Sequence, residues 1–196
     1  MGLQITTAPD QEPVTLEDAK LHLRVDHDVE DVLITRYIRS ARLWVEDYTH
    51  RKLITQTAEL TLPDFPRRAI RLPFGKCSAV QSIKYFDSAG VQQTLTGPTS
   101  GSPSGTDYQE DFSSDEGAIV APPVDDDWPA AQTDRLAPVT VQYDVGYGPD
   151  GADVPDSFIT ALLYRLTDLY EFRGSMDGSG TSTAKLELDG LRLVTV

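Results

Sequence analysis

The period of the apolar residues changes twice along this chain, and that change limits the fold more than any other feature. Between Asp28 and Tyr48, Val29, Val32, Leu33, Tyr37, Ile38, Ala41, Val45 and Tyr48 recur at helical spacing and make one stripe. Arg36, Arg39, Arg42, Glu46 and Asp47 fall mostly off it. The helix predicted here is about five turns long and opens with Glu30 and Asp31 where the dipole favours acids. A shorter helix precedes it: Thr15 can cap it, Asp18 completes an acidic variant of the capping box, and Leu16, Ala19 and Leu23 mark its face.

From Leu53 the period becomes two. LITQTAELTL, AIRLP (69–73), AVQSIKYFD (79–87), VQQTLT (91–96), GAIVA (117–121) and PVTVQYDVGYG (138–148) read as short strands, and Ser88-Ala89-Gly90 joins two of them as a hairpin. Residues 97–106 are low-complexity and predict a mobile loop. At Val154-Pro155-Asp156 the helical period returns, with Phe158, Ala161, Leu162, Leu166, Leu169 and Phe172 on one stripe and Gly174 as the stop. The expected fold class is therefore α+β. Two N-terminal helices (within 1–52) and one C-terminal helix (151–174) form a small bundle, with an antiparallel β sub-domain (53–150) inserted between them. Residues 175–196 are expected to form a flexible tail.

That tail begins as a Gly/Ser tether and ends in KLELDGLRLVTV. Asp189-Gly190 favours a two-residue type I′ turn. In that register Leu188 faces Leu191 and Leu186 faces Leu193, so four leucines share a face, while Glu187 faces Arg192. A lone hairpin is marginal in water, so this one wants a surface: its own domain, a neighbouring copy or another protein's sheet edge. The candidate partner-binding residues are Leu186, Leu188, Leu191, Leu193, Val194 and Val196.

Charge and chemistry narrow the function. The chain carries 31 acidic against 17 basic residues, a net charge of −14, which repels phosphate and argues against nonspecific DNA binding. The single cysteine, Cys77, cannot form an internal disulfide, and as a nucleophile it would need His22, His27 or His50, all in the N-terminal segment. No apolar run is long enough for a membrane span, and the N-terminus lacks the basic and apolar regions of a secretory signal. Residues 107–127 hold eight acids and no base, but the run at Asp125-Asp126-Asp127 has neither the ligand spacing nor the turn glycine of a calcium loop. It reads as a solvated acidic loop, or as acids that would repel DNA passing through a lumen. No strand–GxGxxG–helix order, phosphate-cradling loop, catalytic triad or nucleophile elbow occurs. No catalytic residue, cofactor or metal is expected, and function should lie in surfaces.

The run Glu12 to Asp26, EPVTLEDAKLHLRVD, resembles the opening of the phage head–tail connector (adaptor) family, which includes gene transfer agent adaptors. Asp31 through Thr49 and on to LITQTAELTL, the strand AVQSIKYFD, and VTVQYDVGYG before a DVP helix start are also similar, so the resemblance spans roughly 12–172. It implies a structural, non-enzymatic protein of the virion or particle neck, made in the bacterial cytoplasm. Such a protein forms a ring, dodecameric in mature particles, below the portal. It extends the DNA channel without binding DNA specifically and docks a stopper or other neck protein. Two other readings compete with it. One is a neck stopper, against which the long helical opening argues. The other is a monomeric β-rich module for a small ligand or glycan, using Tyr85, Phe86, Tyr143 and Tyr147.

Overall fold

The computed structural model describes residues 2–98, 106–172 and 183–193. The chain forms two units. One combines the chain up to Ala8 with Thr55–Gly146, and the other combines Pro9–Ile54 with the chain from Tyr147 onward.

The first unit holds every strand found among the described residues. A five-stranded antiparallel sheet has the order β1-β2-β8-β4-β5, with β1 at Gly2–Thr7, β2 at Gln56–Leu62, β4 at Cys77–Phe86, β5 at Gln92–Leu95 and β8 at Val139–Val145. A three-stranded sheet has the order β3-β7-β6, with β3 at Ile70–Leu72, β6 at Gln109–Asp111 and β7 at Ala118–Ala121. The alternation predicted for the strands is what sets their faces. In β2 and β8, Ala58 pairs with Tyr143 and Leu60 with Val141, and all four are buried. Ile70, Leu72, Ile83, Ala118, Val120 and Cys77 complete the same core.

Two strands were not legible as such. For Gly2–Thr7 the sequence suggests no element, yet it forms β1, the edge partner of β2, with both its faces largely exposed. β6 is three residues long and lies in the acidic stretch. The β4–β5 hairpin forms as predicted. Gly90 takes φ +78 there, and the Asp87 carboxylate accepts from the backbone N–H groups of Ala89 (3.0 Å) and Val91 (2.9 Å). Most of the low-complexity loop, residues 99–105, lies outside the described residues.

The second unit is helical. α1 spans Leu16–Leu23 and is capped by Thr15, whose hydroxyl accepts from the Asp18 N–H at 3.1 Å. It ends where Arg24 enters the left-handed region at φ 59, with the Val25 N–H returning to the Lys20 carbonyl. α2 spans Asp31–Thr49 and α3 spans Asp156–Phe172. Ile34, Ile38, Ala41 and Val45 of α2 meet Phe158, Ala161, Leu162 and Leu166 of α3 in one core.

The buried face of α2 differs from the predicted stripe. Val29 and Val32 are 90% and 69% exposed, and Ile34 takes the core position. Arg42 and Glu46, read as off the stripe, are buried on it. Long-range partners make this possible. Arg42 donates to Glu12 through Nε (2.6 Å) and Nη2 (3.2 Å), and to Glu46 through Nη1 (3.3 Å). Glu46 also accepts from Lys52 Nζ (3.1 Å) and the Leu53 N–H (3.2 Å). Burial alone would lower the Arg42 guanidinium's pKa, but the Glu12 and Glu46 carboxylates outweigh it and hold the group above its ordinary value.

Candidate interaction surfaces

The C-terminal segment is not a hairpin. Thr183–Leu188 forms a one-and-a-half-turn helix, α4, continued by a 3-10 turn at Asp189–Leu191. The reason is visible in its composition and spacing. Ala184, Lys185, Leu186, Glu187 and Leu188 are all good helix formers. Ala184 and Leu188, four residues apart, share a face and are fully buried in the helical core. The preference of Asp189-Gly190 for a hairpin turn is overridden by this packing.

Polar contacts fix the segment further. Arg51 Nε donates to the Leu191 carbonyl at 2.8 Å, and the Leu193 N–H donates to the Thr49 carbonyl at 3.0 Å. The Tyr48 hydroxyl bonds the Asp189 carboxylate, which holds the phenol's pKa above its ordinary value. Arg192 lies over the Tyr48 ring at 5.4 Å, and Tyr48 stacks on Trp44 at 5.5 Å. The four candidate leucines therefore do not share one face. Leu188 is interior, Leu191 and Leu193 are half-buried, and Leu186 is 63% exposed. Val194 and Val196 lie outside the described residues. The tether at 173–182 does too, whereas 183–193 is a packed element rather than part of a flexible tail.

Other sequence candidates are placed plainly. Cys77 is buried, and burial pushes its thiol up to about 11, so it is a poor nucleophile at neutral pH. His22 shares a 2.9 Å hydrogen bond with Thr167, His27 is exposed, and His50 is the left-handed residue that ends α2 at φ 56. Among the described residues no group of three or more His, Cys, Asp or Glu is placed to hold a metal, and no helix is long and apolar enough to cross a membrane. Of the aromatic residues considered for a ligand surface, Tyr143 is fully buried and Tyr147 packs on Phe158 at 5.5 Å. Tyr85 meets Phe65 edge-on, and Phe86 is covered by Arg135 at 3.5 Å. These do not make one presented surface.

Exposed apolar residues of the helical unit occur on every helix, with Tyr164 and Phe172 on α3 and Leu186 on α4. Leu21 is 78% exposed beside an open cleft lined by Leu16, Glu17, Lys20, Val25 and Asp26. On α2, Val32 and Leu43 stand outside the core face. The acidic loop of the strand unit is exposed at Asp125, Asp126 and Asp127.

Residues 13–87 match the family described as phage gp6-like head–tail connector proteins. The chain thus resembles the head–tail connector family, as its opening run suggested. No curated protein sequence matches. Solved structures that share the fold include chains of gene transfer agent particles. A chain in the virion of a native gene transfer agent particle is 20% identical with a TM-score of 0.80. Chains in the neck of an empty particle (C6 symmetry) and of a native particle (C12 symmetry) are 21% and 19% identical, with TM-scores of 0.78 and 0.75. Each match covers 100% of this chain and 97% of the other.

Proposed function

We propose that this chain is a structural head–tail adaptor of a phage or gene transfer agent neck, without enzymatic activity. It would form a ring under the portal, extend the DNA channel and dock the next neck protein. The observation that carries this reading is the whole-chain likeness in fold to chains of gene transfer agent neck and virion structures, 97% of each of which is covered. The connector match over 13–87 and the absence of a catalytic motif in the sequence support it. The C12 and C6 symmetries belong to those particles. A twelve-fold ring is the corresponding proposal here.

Within this reading the C-terminal segment contacts a partner through Leu186, which faces outward, while Ala184 and Leu188 anchor it. Deleting the segment would strip the core as well as the contact. Leu186→Glu changes the contact alone. Electron microscopy of the full chain mixed with a portal ring tests the assignment. Rings stacked on portals are expected for the unmodified chain, and weaker portal binding for Leu186→Glu. A chain that neither binds a portal nor forms rings on it refutes the adaptor reading. Unchanged binding by Leu186→Glu removes only the role of the segment.

A further inference from the structure

The face of α2 opposite its core carries Val32, Arg36, Arg39 and Leu43, spaced four, three and four residues apart and all exposed. Among the described residues, neither Arg36 nor Arg39 is paired with a carboxylate. Lys20, Arg42, Lys52 and Lys76 are taken up by internal acids, whereas these two arginines are presented together on one exposed helix face. Two arginines between two aliphatic residues suit a protein surface that is itself acidic and partly apolar. DNA phosphates would satisfy the guanidinium groups but leave Val32 and Leu43 in water.

The strand unit presents a surface of that kind. Val124 is 76% exposed and is followed by Asp125, Asp126 and Asp127, all exposed. The turn is held by the Asp126 N–H on the Pro123 carbonyl (3.2 Å) and the Asp127 N–H on the Asp126 carboxylate (2.9 Å), with Asp125 in the left-handed region at φ 64. Several other acids of this unit are engaged within it. Asp87 caps a turn, Asp107 accepts from the Thr96 N–H, Asp115 pairs with Lys76 and Asp144 accepts from Thr57.

We propose that the outer face of α2 docks on the Val124–Asp127 turn of a second copy, its arginines meeting the carboxylates and Val124 packing against the aliphatic side chains. The inference rests on the ring reading. A contact between two different surfaces of one chain is head-to-tail, and a head-to-tail contact makes a ring where its rotation closes.

The test follows self-association of the full chain, alone and on a portal ring, by sedimentation velocity and native mass spectrometry. Four chains are compared: unmodified, R36E/R39E, D125R/D127R, and all four changes together. Each double variant should weaken association by roughly tenfold or more at low salt, and the combined chain should recover to within about threefold of the unmodified one. The positions are exposed, and circular dichroism checks that each variant folds. Rings that form equally well with R36E/R39E overturn this face and leave the adaptor reading intact. Weakening without recovery in the combined chain overturns the turn as the occupant. Loss of DNA retention with unchanged self-association overturns the protein contact in favour of nucleic acid. An unmodified chain that associates neither alone nor on a portal overturns both readings.

Discussion

Glu46 shows how one residue ties the helical unit together. Its carboxylate is buried and is met by Arg42, Lys52 and the Leu53 N–H. Removing one member of a buried charge group strands the others away from water, which costs about 3–5 kcal/mol. Glu46→Ala should therefore lower the unfolding free energy of the full chain by about 3 kcal/mol or more in urea titrations. A loss under about 1 kcal/mol would show that water reaches the group. Asp87 acts in the strand unit. Hydrogen bonds from the Gln93 side chain and then from the Val91 N–H hold its carboxyl below the ordinary value. A folded value below the unfolded one means that the turn is stabilised above the ordinary carboxylate range and loses this as pH falls through the folded value. The amides of Ala89 and Val91 should lose exchange protection on acidification below about pH 4. Asp87→Asn should abolish that pH dependence, and an unchanged profile would place the effect elsewhere.

At the scale of elements, the segment from Thr183 to Leu191 binds its own unit through Leu188, whose side chain is fully buried between α2 and α3 partners. Leu188→Ala should cost about 2–5 kcal/mol, the usual range for a leucine cavity, while Leu186→Ala, on the outer side, should stay within about 0.5 kcal/mol. Equal effects at the two positions would mean that the segment does not pack as a helix. The contrast also explains what could be read beforehand. The strands β2, β4, β7 and β8 and the helices α1 and α3 were legible because one face of each is buried and the apolar period records that face. β1 was not, because a mostly exposed edge strand leaves no such record. Val32 and Arg42 were assigned to the wrong sides of α2 because residue type was taken for burial. The partners that let Arg42 go inside, Glu12 and Glu46, include one that is thirty residues away in the chain. The spacing of Ala184 and Leu188 was present in the sequence, but the Asp189-Gly190 turn preference pointed the other way, and tertiary packing decided.

For the whole molecule, the fold class and the connector resemblance were legible because α1, α2 and β2, which fall within residues 13–87, carry both the period switch and the family match. The surfaces were harder to read. Partner-binding residues follow no period, and Arg36 and Arg39 are seen to share an exposed face only once the buried face of α2 is known. The balance of charge makes the last prediction. If the chain lines a DNA channel, as proposed above, it must let DNA pass, and binding it tightly would oppose that passage. With 31 acids and 17 bases the chain repels phosphate overall, and Arg36 and Arg39 alone neutralise too few phosphates to reverse this. Each phosphate contact contributes about one unit to the salt slope, so any residual binding through this pair should vanish between about 50 and 200 mM salt. The full chain should therefore not shift a duplex DNA probe in fluorescence anisotropy at about 150 mM salt, even at 100 µM protein, roughly the range of nonspecific DNA binders. A dissociation constant below that, with a slope of several units, would overturn this prediction.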